Sequence, residues 1–249
     1  MTIKRIYLDK QDFNMDSGNI SFKGDTCHYI SKVLRMRKGD VFYGFDGSGK
    51  EYKIEICGCG KRMAEGTIID SKQVSGTELP FELTLFQSIP KGNKMDSIIG
   101  DISQLGVQRI VPVFSRRVIG LFSEGKAASK IERWKKISAA SSSVSGRQMI
   151  TEIGDSTTFS EALEFKTDIS LLFWEEKAEN LRKAIRKPAG KEFMSVKIFV
   201  GPEGGYTEEE VEKARSCNVS IASLGKRILK VETASVIAAA LTIYELENS

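Results

Sequence analysis

Two passages near the carboxyl end set glycine beside charge in a pattern that could build a ligand site. In the first, Lys197 to Glu210 (KIFVGPEGGYTEEE), an apolar strand ends at Val200 and a Gly-Pro-Glu-Gly-Gly turn follows. Thr207 and Glu210 then form the T-x-x-E capping box of a helix. Glycines there let the backbone approach a ligand closely, and a helix start presents free N–H groups. Glu203 and the run Glu208, Glu209, Glu210 oppose a phosphate, so a neutral or cationic ligand fits better; the plain alternative is a tight connection in which glycine serves geometry alone. In the second passage, Ser223 to Ala234 (SLGKRILKVETA), Lys226, Arg227 and Lys230 interrupt an apolar run into ASVIAAALTIYEL, a helix apolar nearly all round. Gly225, these cations and Glu232 at its entrance point to a site at the edge of a core or subunit interface, against the simpler reading of a loop with exposed lysines.

Other chemistries fall away. Gly44 to Lys50 spells G-x-x-x-x-G-K, but Glu51 stands where a phosphate-binding loop needs Ser or Thr to hold magnesium. The following EYKIEI alternates like a strand, so DGSG reads as a hairpin turn. His28 is the single histidine and reads as a structural group; Cys27, Cys57, Cys59 and Cys217 form no C-x-x-C pair, so no metal site is expected.

These passages need elements to hold them. The chain has 249 residues, enough for one large domain or two modest ones, and its 41% apolar and 28% charged composition excludes a disordered chain. From Lys4 to Asp70 short β-rich runs (IKRIYL, VFYGFD, KEYKIEIC, EGTIID) predict a small barrel or sandwich, interrupted by a helix over Asp25 to Arg37 that Gly39 closes. Ser71 to Pro80 reads as a linker. Beyond it, strands at Leu83–Gln87, Arg109–Val113, Ser170–Trp174, Lys197–Val200 and Val219–Ser223 alternate with helices at Gly92–Leu105, Lys130–Ser143, Ala178–Arg186, Thr207–Cys217 and Thr233–Glu247. Such alternation predicts a parallel sheet covered by helices, with ligands beyond the carboxyl ends of the strands.

Net charge is +4, which hides its distribution. Residues 1–75 carry +3, and residues 109–147 hold nine basic groups (Arg109, Arg116, Arg117, Lys126, Lys130, Arg133, Lys135, Lys136, Arg147) against Glu124 and Glu132. That stretch is either a polyanion footprint or a solvated helix face. No apolar stretch approaches the roughly 20 residues of a membrane helix, and MTIKRIYLDKQD has no signal-peptide segment. A cytoplasmic location is expected.

At the two glycine passages the chain resembles the RsmE-type ribosomal RNA uracil-N3 methyltransferases of the SPOUT class. GPEGGYTEEE is similar to that family's GPEGG[FLY]-x-x-E-E signature and SLGKRILKVETA to its S-L-G-x-R-I-L-R-x-E-T-A. HYISKVLRMRKGD (28–40), KGNKMDSII and QLGVQRIVPV (91–113), RWKKI (133–137), SGR (145–147) and LLFWEE (171–176) add matches along nearly the whole chain. The sequence departs from the family pattern at Lys230 (usually Arg), Ala140 to Val144 (usually E-A-A-E-Q), Asp101 and Thr151.

The resemblance implies an α/β fold: a PUA-like RNA-binding β-barrel at 1–73 and a SPOUT methyltransferase domain at 80–249, its parallel sheet closed by a deep trefoil knot. It implies a homodimer that binds S-adenosylmethionine (AdoMet), uses no metal, and methylates N3 of a uridine in 16S rRNA of the small ribosomal subunit, a step in rRNA processing and ribosome biogenesis. Carried over by motif, the cofactor residues are Leu172, Phe173, Trp174, Val200, Gly201, Pro202, Glu203, Gly204, Gly205, Leu224, Gly225, Arg227, Ile228 and Leu229. Arg227 and Lys230 are assigned the electrostatic role in catalysis. Arg5, Lys32, Arg35, Arg37, Arg116, Arg117 and Arg147 are assigned to RNA. The alternative is a non-catalytic RNA-binding or ribosome-assembly factor with a degenerate AdoMet site, which the altered 140–144 segment motivates.

Overall fold

A computed structural model of the chain describes residues 4–9, 13–16, 18–74, 76–118, 124–176, 178–185 and 193–248. Ile3 of the first predicted strand, Ser75 of the linker and Arg186 of a predicted helix lie outside the described residues, as do the side chains of Glu124 and Lys126 in the basic stretch.

The chain folds into two compact units, Met1–Glu78 with Ser142–Ile150, and Leu79–Ser141 with Thr151–Ser249. The expected division, 1–73 and 80–249, has to be corrected, because a nine-residue segment far along the chain belongs with the amino-terminal part. Hydrogen bonds explain it. Arg147, 2% exposed, donates to the Glu78 carboxylate at 2.7 Å, and the N–H groups of Gln148 and Met149 donate to the same carboxylate. Arg5 donates to the carbonyls of Ser142, Ser143 and Arg147.

In the first unit, strands β1 (Lys4–Tyr7), β2 (Phe13–Asp16), β3 (Asn19–Phe22), β4 (Val41–Phe45), β5 (Lys50–Cys59) and β6 (Ala64–Gln73) form one barrel-like sheet in the order β1-β4-β5-β6-β3-β2. Among the described residues, only β1 and β4 of this sheet run parallel. Alternate residues Phe42, Ile54, Ile56, Ile20 and Phe22 turn inward, packed by Ile30 and Met36. As expected, Asp46 to Gly49 is the β4–β5 hairpin turn, with the Ser48 N–H donating to the Asp46 carboxylate at 2.9 Å. The predicted helix over 25–37 is shorter: α1 (Gly24–His28) passes into a π-helical turn, Tyr29–Val33. It stops because Arg35 takes φ 53°, a left-handed conformation that ends a helix.

In the second unit every strand pair is parallel. The chain runs β7 (Glu82–Ser88), α2 (Lys94–Gln104), β8 (Arg109–Phe114), α3 (Glu124–Val144, crossing into the first unit at Ser142), β9 (Glu152–Ile153), β10 (Thr157–Thr158), α4 (Phe159–Glu164), β11 (Ile169–Phe173), β12 (Glu179–Asn180), α5 (Leu181–Ala184), β13 (Ser195–Val200), α6 (Glu208–Ser216), β14 (Ser220–Ser223) and α7 (Val231–Glu247). Sheet order is β10-β8-β7-β13-β11-β14-β12, with β9 beside β8. Both faces are covered. Leu83, Leu85, Ile110, Leu171 and Ile198 meet Ile98, Ile102, Ala238 and Ile243 on one face, while Phe86, Val111, Leu172, Phe199 and Ile221 meet Phe159, Tyr206 and Val211 on the other. Each fully buried Leu, Ile or Phe contributes about 1.5–3 kcal/mol. The capping box at α6 forms as expected, with the Glu210 N–H donating to Thr207 Oγ1 at 3.2 Å and the Thr207 N–H to Glu210 Oε2 at 2.9 Å.

Candidate active site

Three neighbouring strands of the second unit, β13, β11 and β14, end at the same edge of the sheet. The loops leaving them, with the first turn of α7, line a solvent-open cleft. Phe173, Trp174 and Glu175 follow β11; Val200, Gly201, Pro202, Glu203 and Gly205 end β13; Leu224, Gly225, Arg227, Ile228 and Leu229 follow β14; Val231 and Ala234 belong to α7. Twelve of the fourteen predicted cofactor residues therefore share one cleft. The other two do not line it. Leu172 lies in the core, fully buried, because alternation along β11 turns it into the sheet face, and Gly204 packs under Arg117, whose Cδ would lie 3.2 Å from an added Cβ. Lys230 also falls outside the lining, exposed at the N-cap of α7, where its carbonyl accepts from Ala234 N–H at 2.8 Å. Glu175, Val231 and Ala234 also line the cleft; they lie within the matched LLFWEE and SLGKRILKVETA passages but carry no cofactor assignment from the resemblance.

Local chemistry shapes each wall. Gly225 has φ 105°, a conformation that favours glycine, and a Cβ there would meet nothing within 4 Å. The cleft is thus open over its backbone. Ser223 Oγ accepts from the Gly225 N–H at 3.1 Å and sets that turn. At Gly205, φ 67° favours glycine, and the Glu175 carboxylate lies against its Cα, 2.9 Å from where a Cβ would sit.

The Glu203 carboxylate accepts from Lys94 Nζ at 2.8 Å and from the Lys91 N–H at 3.1 Å, tying the glycine loop to the start of α2. Burial alone would raise the Glu203 pKa, but the hydrogen bonds from Lys94 and Lys91 and the Lys94 charge prevail and hold it below the usual value. The bond to Glu203 likewise raises the pKa of Lys94. Behind the cleft lies a buried polar chain absent from the sequence reading. Ser235 Oγ donates to Gln87 Oε1 at 2.6 Å, Gln87 Nε2 donates to the Ser88 carbonyl at 2.9 Å, and Ser88 Oγ pairs with the Tyr206 hydroxyl at 3.2 Å. Burial pushes the Tyr206 phenol well above its ordinary pKa, so it stays protonated. The sequence signal was polar Gln-Ser ending an apolar strand.

The predicted RNA residues separate into two groups. Arg5 stacks on Phe45 at 3.8 Å, pairs with Glu51 at 2.9 Å and donates to three carbonyls; Arg147 is buried against Glu78. Neither presents a guanidinium to a phosphate, and their assignment to RNA is corrected: both tie down the 142–150 segment. Glu51, where the phosphate-loop pattern failed, is held ionised, since its bonds to Arg5 and Lys72 outweigh burial. Arg116 pairs with Glu209 and donates its N–H to Glu210, while Arg117 donates to the Gly204 carbonyl. Five of the nine basic groups in the stretch 109–147 thus pair with acids: Arg109 with Glu152, Arg116 with Glu209, Arg133 with Asp96, Lys135 with Glu132 and Arg147 with Glu78. The remaining three, Lys32, Arg35 and Arg37, line a groove of the first unit with Lys38, Lys61 and Cys59, and no acid is in its lining.

The departing segment 140–144 contributes nothing to the cleft lining. Thr151 is buried, donating to the Val107 carbonyl at 2.6 Å. Among the described residues there is no cluster of three or more His, Cys, Asp or Glu suited to a metal, and no helix long and apolar enough to cross a membrane.

Comparison with known proteins bears on the same region. Residues 77–243 match the RNA methyltransferase domain family. Ribosomal RNA small subunit methyltransferase E of Bacillus subtilis is 30% identical over 97% of this chain and 96% of its own length. Among solved structures, ribosomal RNA small subunit methyltransferase E of Neisseria gonorrhoeae, bound to S-adenosyl methionine, aligns with a TM-score of 0.84 at 31% identity over 96% of each chain. A putative methyltransferase of Legionella pneumophila, in complex with the bound cofactor SAM, aligns at 0.88 with 26% identity over 97% of each.

Proposed function

The chain belongs to the ribosomal RNA small subunit methyltransferase E family, and from that premise we propose that it methylates N3 of a uridine in 16S rRNA, with AdoMet as methyl donor. The observation that carries this reading is the convergence of three loops, two of them glycine-bearing, on one cleft at the carboxyl ends of parallel strands. Its walls suit this cofactor. Phe173, Trp174, Val200, Leu224, Leu229 and Val231 offer apolar surface, the Gly225 backbone lies open, and the carboxylates of Glu175 and Glu203 tolerate a cation where they would repel phosphates. AdoMet supplies an electrophilic methyl group on a sulfonium; the protein supplies placement and electrostatics.

N3 is on the pairing edge of uracil, so the base must be unpaired or flipped to enter. Arg227, exposed at the cleft and without an ion pair among the described residues, would face the negative charge that develops on the uracil oxygens, with Lys230 in support. Lys32, Arg35 and Arg37 would hold RNA phosphates in the acid-free groove, as in a PUA-like RNA-binding domain. On this reading the last strands and α7 form the trefoil knot. The protein acts in the cytoplasm as a homodimer, whose second copy covers Leu241, Tyr244 (62% exposed) and Ile228 (91% exposed).

Nucleoside mass spectrometry of small-subunit RNA treated with the purified protein and AdoMet should give N3-methyluridine. A methyl group at any other atom removes the N3 assignment. Arg227→Ala should keep AdoMet binding by calorimetry and lose transfer; unchanged turnover would take Arg227 out of the reaction.

A further inference from the structure

Two carboxylates bear on Lys94 beside the cleft, and they differ in how they are satisfied. Glu203 accepts from Lys94 Nζ and the Lys91 N–H. Glu232, the second residue of α7, also contributes to the field that raises the Lys94 pKa, yet its Oε2 is buried and has no hydrogen-bond partner among the described residues. A buried carboxylate oxygen without a donor is costly and uncommon in folded proteins, which makes Oε2 a ready acceptor for a donor that a ligand brings.

Helix geometry says from which side. Val231 and Ala234 line the cofactor cleft, and Glu232 does not. One residue along a helix turns about 100°, which directs Glu232 away from that wall and toward Lys94 on α2, the helix packed against α7. The bond from Ser235 Oγ to Gln87 Oε1 at 2.6 Å ties this turn of α7 to the end of β7. Other charges near this part of α2 are engaged: Glu203 by Lys94, and Asp96 by Trp134 at 3.0 Å and by Arg133. This corner adjoins the cleft, because Lys94 bonds Glu203 of the cleft lining, so a base entering beside the cofactor would bring the orphan oxygen a donor. Uracil has one such donor, N3–H.

We propose that Glu232 is a catalytic residue that accepts the N3 proton of the target uridine. In this step the proton of N3 passes to Oε2, the nitrogen electron pair forms the bond to the methyl carbon, and the carbon–sulfur bond breaks with its pair going to sulfur. The positive charge lost at sulfur reappears as the proton, which then leaves Glu232 for water. The proposal rests on the uridine-N3 reading, and product identity from the wild-type protein tests that premise separately.

The decisive variants are Glu232→Gln, which keeps size and burial, and Glu232→Asp, which keeps a carboxylate on a shorter arm. Single-turnover transfer should fall at least about 100-fold in Glu232→Gln, the usual scale of general-base loss, with Glu232→Asp in between. AdoMet affinity by calorimetry and thermal unfolding should stay close to wild type in both. The Glu232→Gln rate should rise about tenfold per pH unit as hydroxide takes over, while the wild-type rate stays flat over the same range. A Glu232→Gln rate like wild type, a pH-independent loss, or a loss explained by weaker AdoMet binding would each overturn the proposal. A wild-type product other than N3-methyluridine would overturn it together with the reading beneath it.

Discussion

Arg5 and Arg147 on one side and Lys32, Arg35, Arg37, Lys38 and Lys61 on the other belong to the same small unit and carry the same charge, yet they do opposite work. The first pair points inward, its guanidinium groups taken up by Glu51, Glu78 and backbone carbonyls. The second set lines a groove without an acid. Position relative to the chain's own acceptors, and not charge, decides whether a cation is structural or free for a polyanion. The same division recurs in the second unit. Lys197 is buried, its ammonium donating to the carbonyls of Leu163 at 2.8 Å and Phe165 at the end of α4.

Substitutions can break or sharpen this contrast. Arg147→Ala should have the largest effect, about 3–5 kcal/mol of stability by chemical denaturation, because it leaves Glu78 without its buried partner. A loss below about 1 kcal/mol would mean Arg147 is not internal in the sense described.

Lys197→Met comes next and reads out through pH. Burial lowers the Lys197 pKa to about 8, below its unfolded value. Under that pH the charged form is penalised in the folded state alone, at constant cost. As pH rises from about 8 toward the ordinary lysine range, the folded state sheds the proton first and the penalty is relieved. Wild-type stability should therefore gain about 1–3 kcal/mol on the Lys197→Met variant across that window. Parallel stability curves for the two proteins would remove the buried-cation account.

In the groove, Lys32→Gln with Lys61→Gln should leave stability alone and weaken RNA binding roughly tenfold at physiological salt. The slope of log affinity against log salt should drop by about 1.4. An unchanged slope would show that the groove does not meet phosphates. The smallest effect belongs to Arg133→Gln. It removes an exposed pair with Asp96, and both stability and RNA affinity should move by less than about 1 kcal/mol.

Much of the second unit was legible in the sequence because its signals are local. Thr207 and Glu210 announce α6 three residues apart, and the apolar runs of β7, β8, β11 and β13 stand between turn residues. The glycine loops place their own residues, which is why most of the cleft lining could be named by motif. The same capping signal, Thr158 with Glu161, opens α4 and was passed over. Other features depend on partners distant in sequence. Glu78 and Arg147 are 69 residues apart, so no pattern of spacing reveals that one holds the other. Arg35 in a left-handed conformation ends its helix two residues before Arg37 without a glycine to mark the stop. Glu232 looks in sequence like an ordinary first-turn acid, and only packing shows that one of its oxygens lacks a donor.

The membership of Ser142–Ile150 in the first unit bears on how the protein is made. Chains emerge from the ribosome amino end first, at roughly 5–20 residues per second, and domains generally fold as units. The barrel-like sheet ends at Gln73, yet the carbonyls that complete Arg5's bonding and the cation that meets Glu78 arrive only when residues 142–150 have been synthesised. The first unit to appear must therefore wait, incomplete, while most of α2, β8 and α3 are made. Shortened chains ending near residue 78 should be aggregation-prone, whereas a chain reaching Ile150 carries everything its first unit needs.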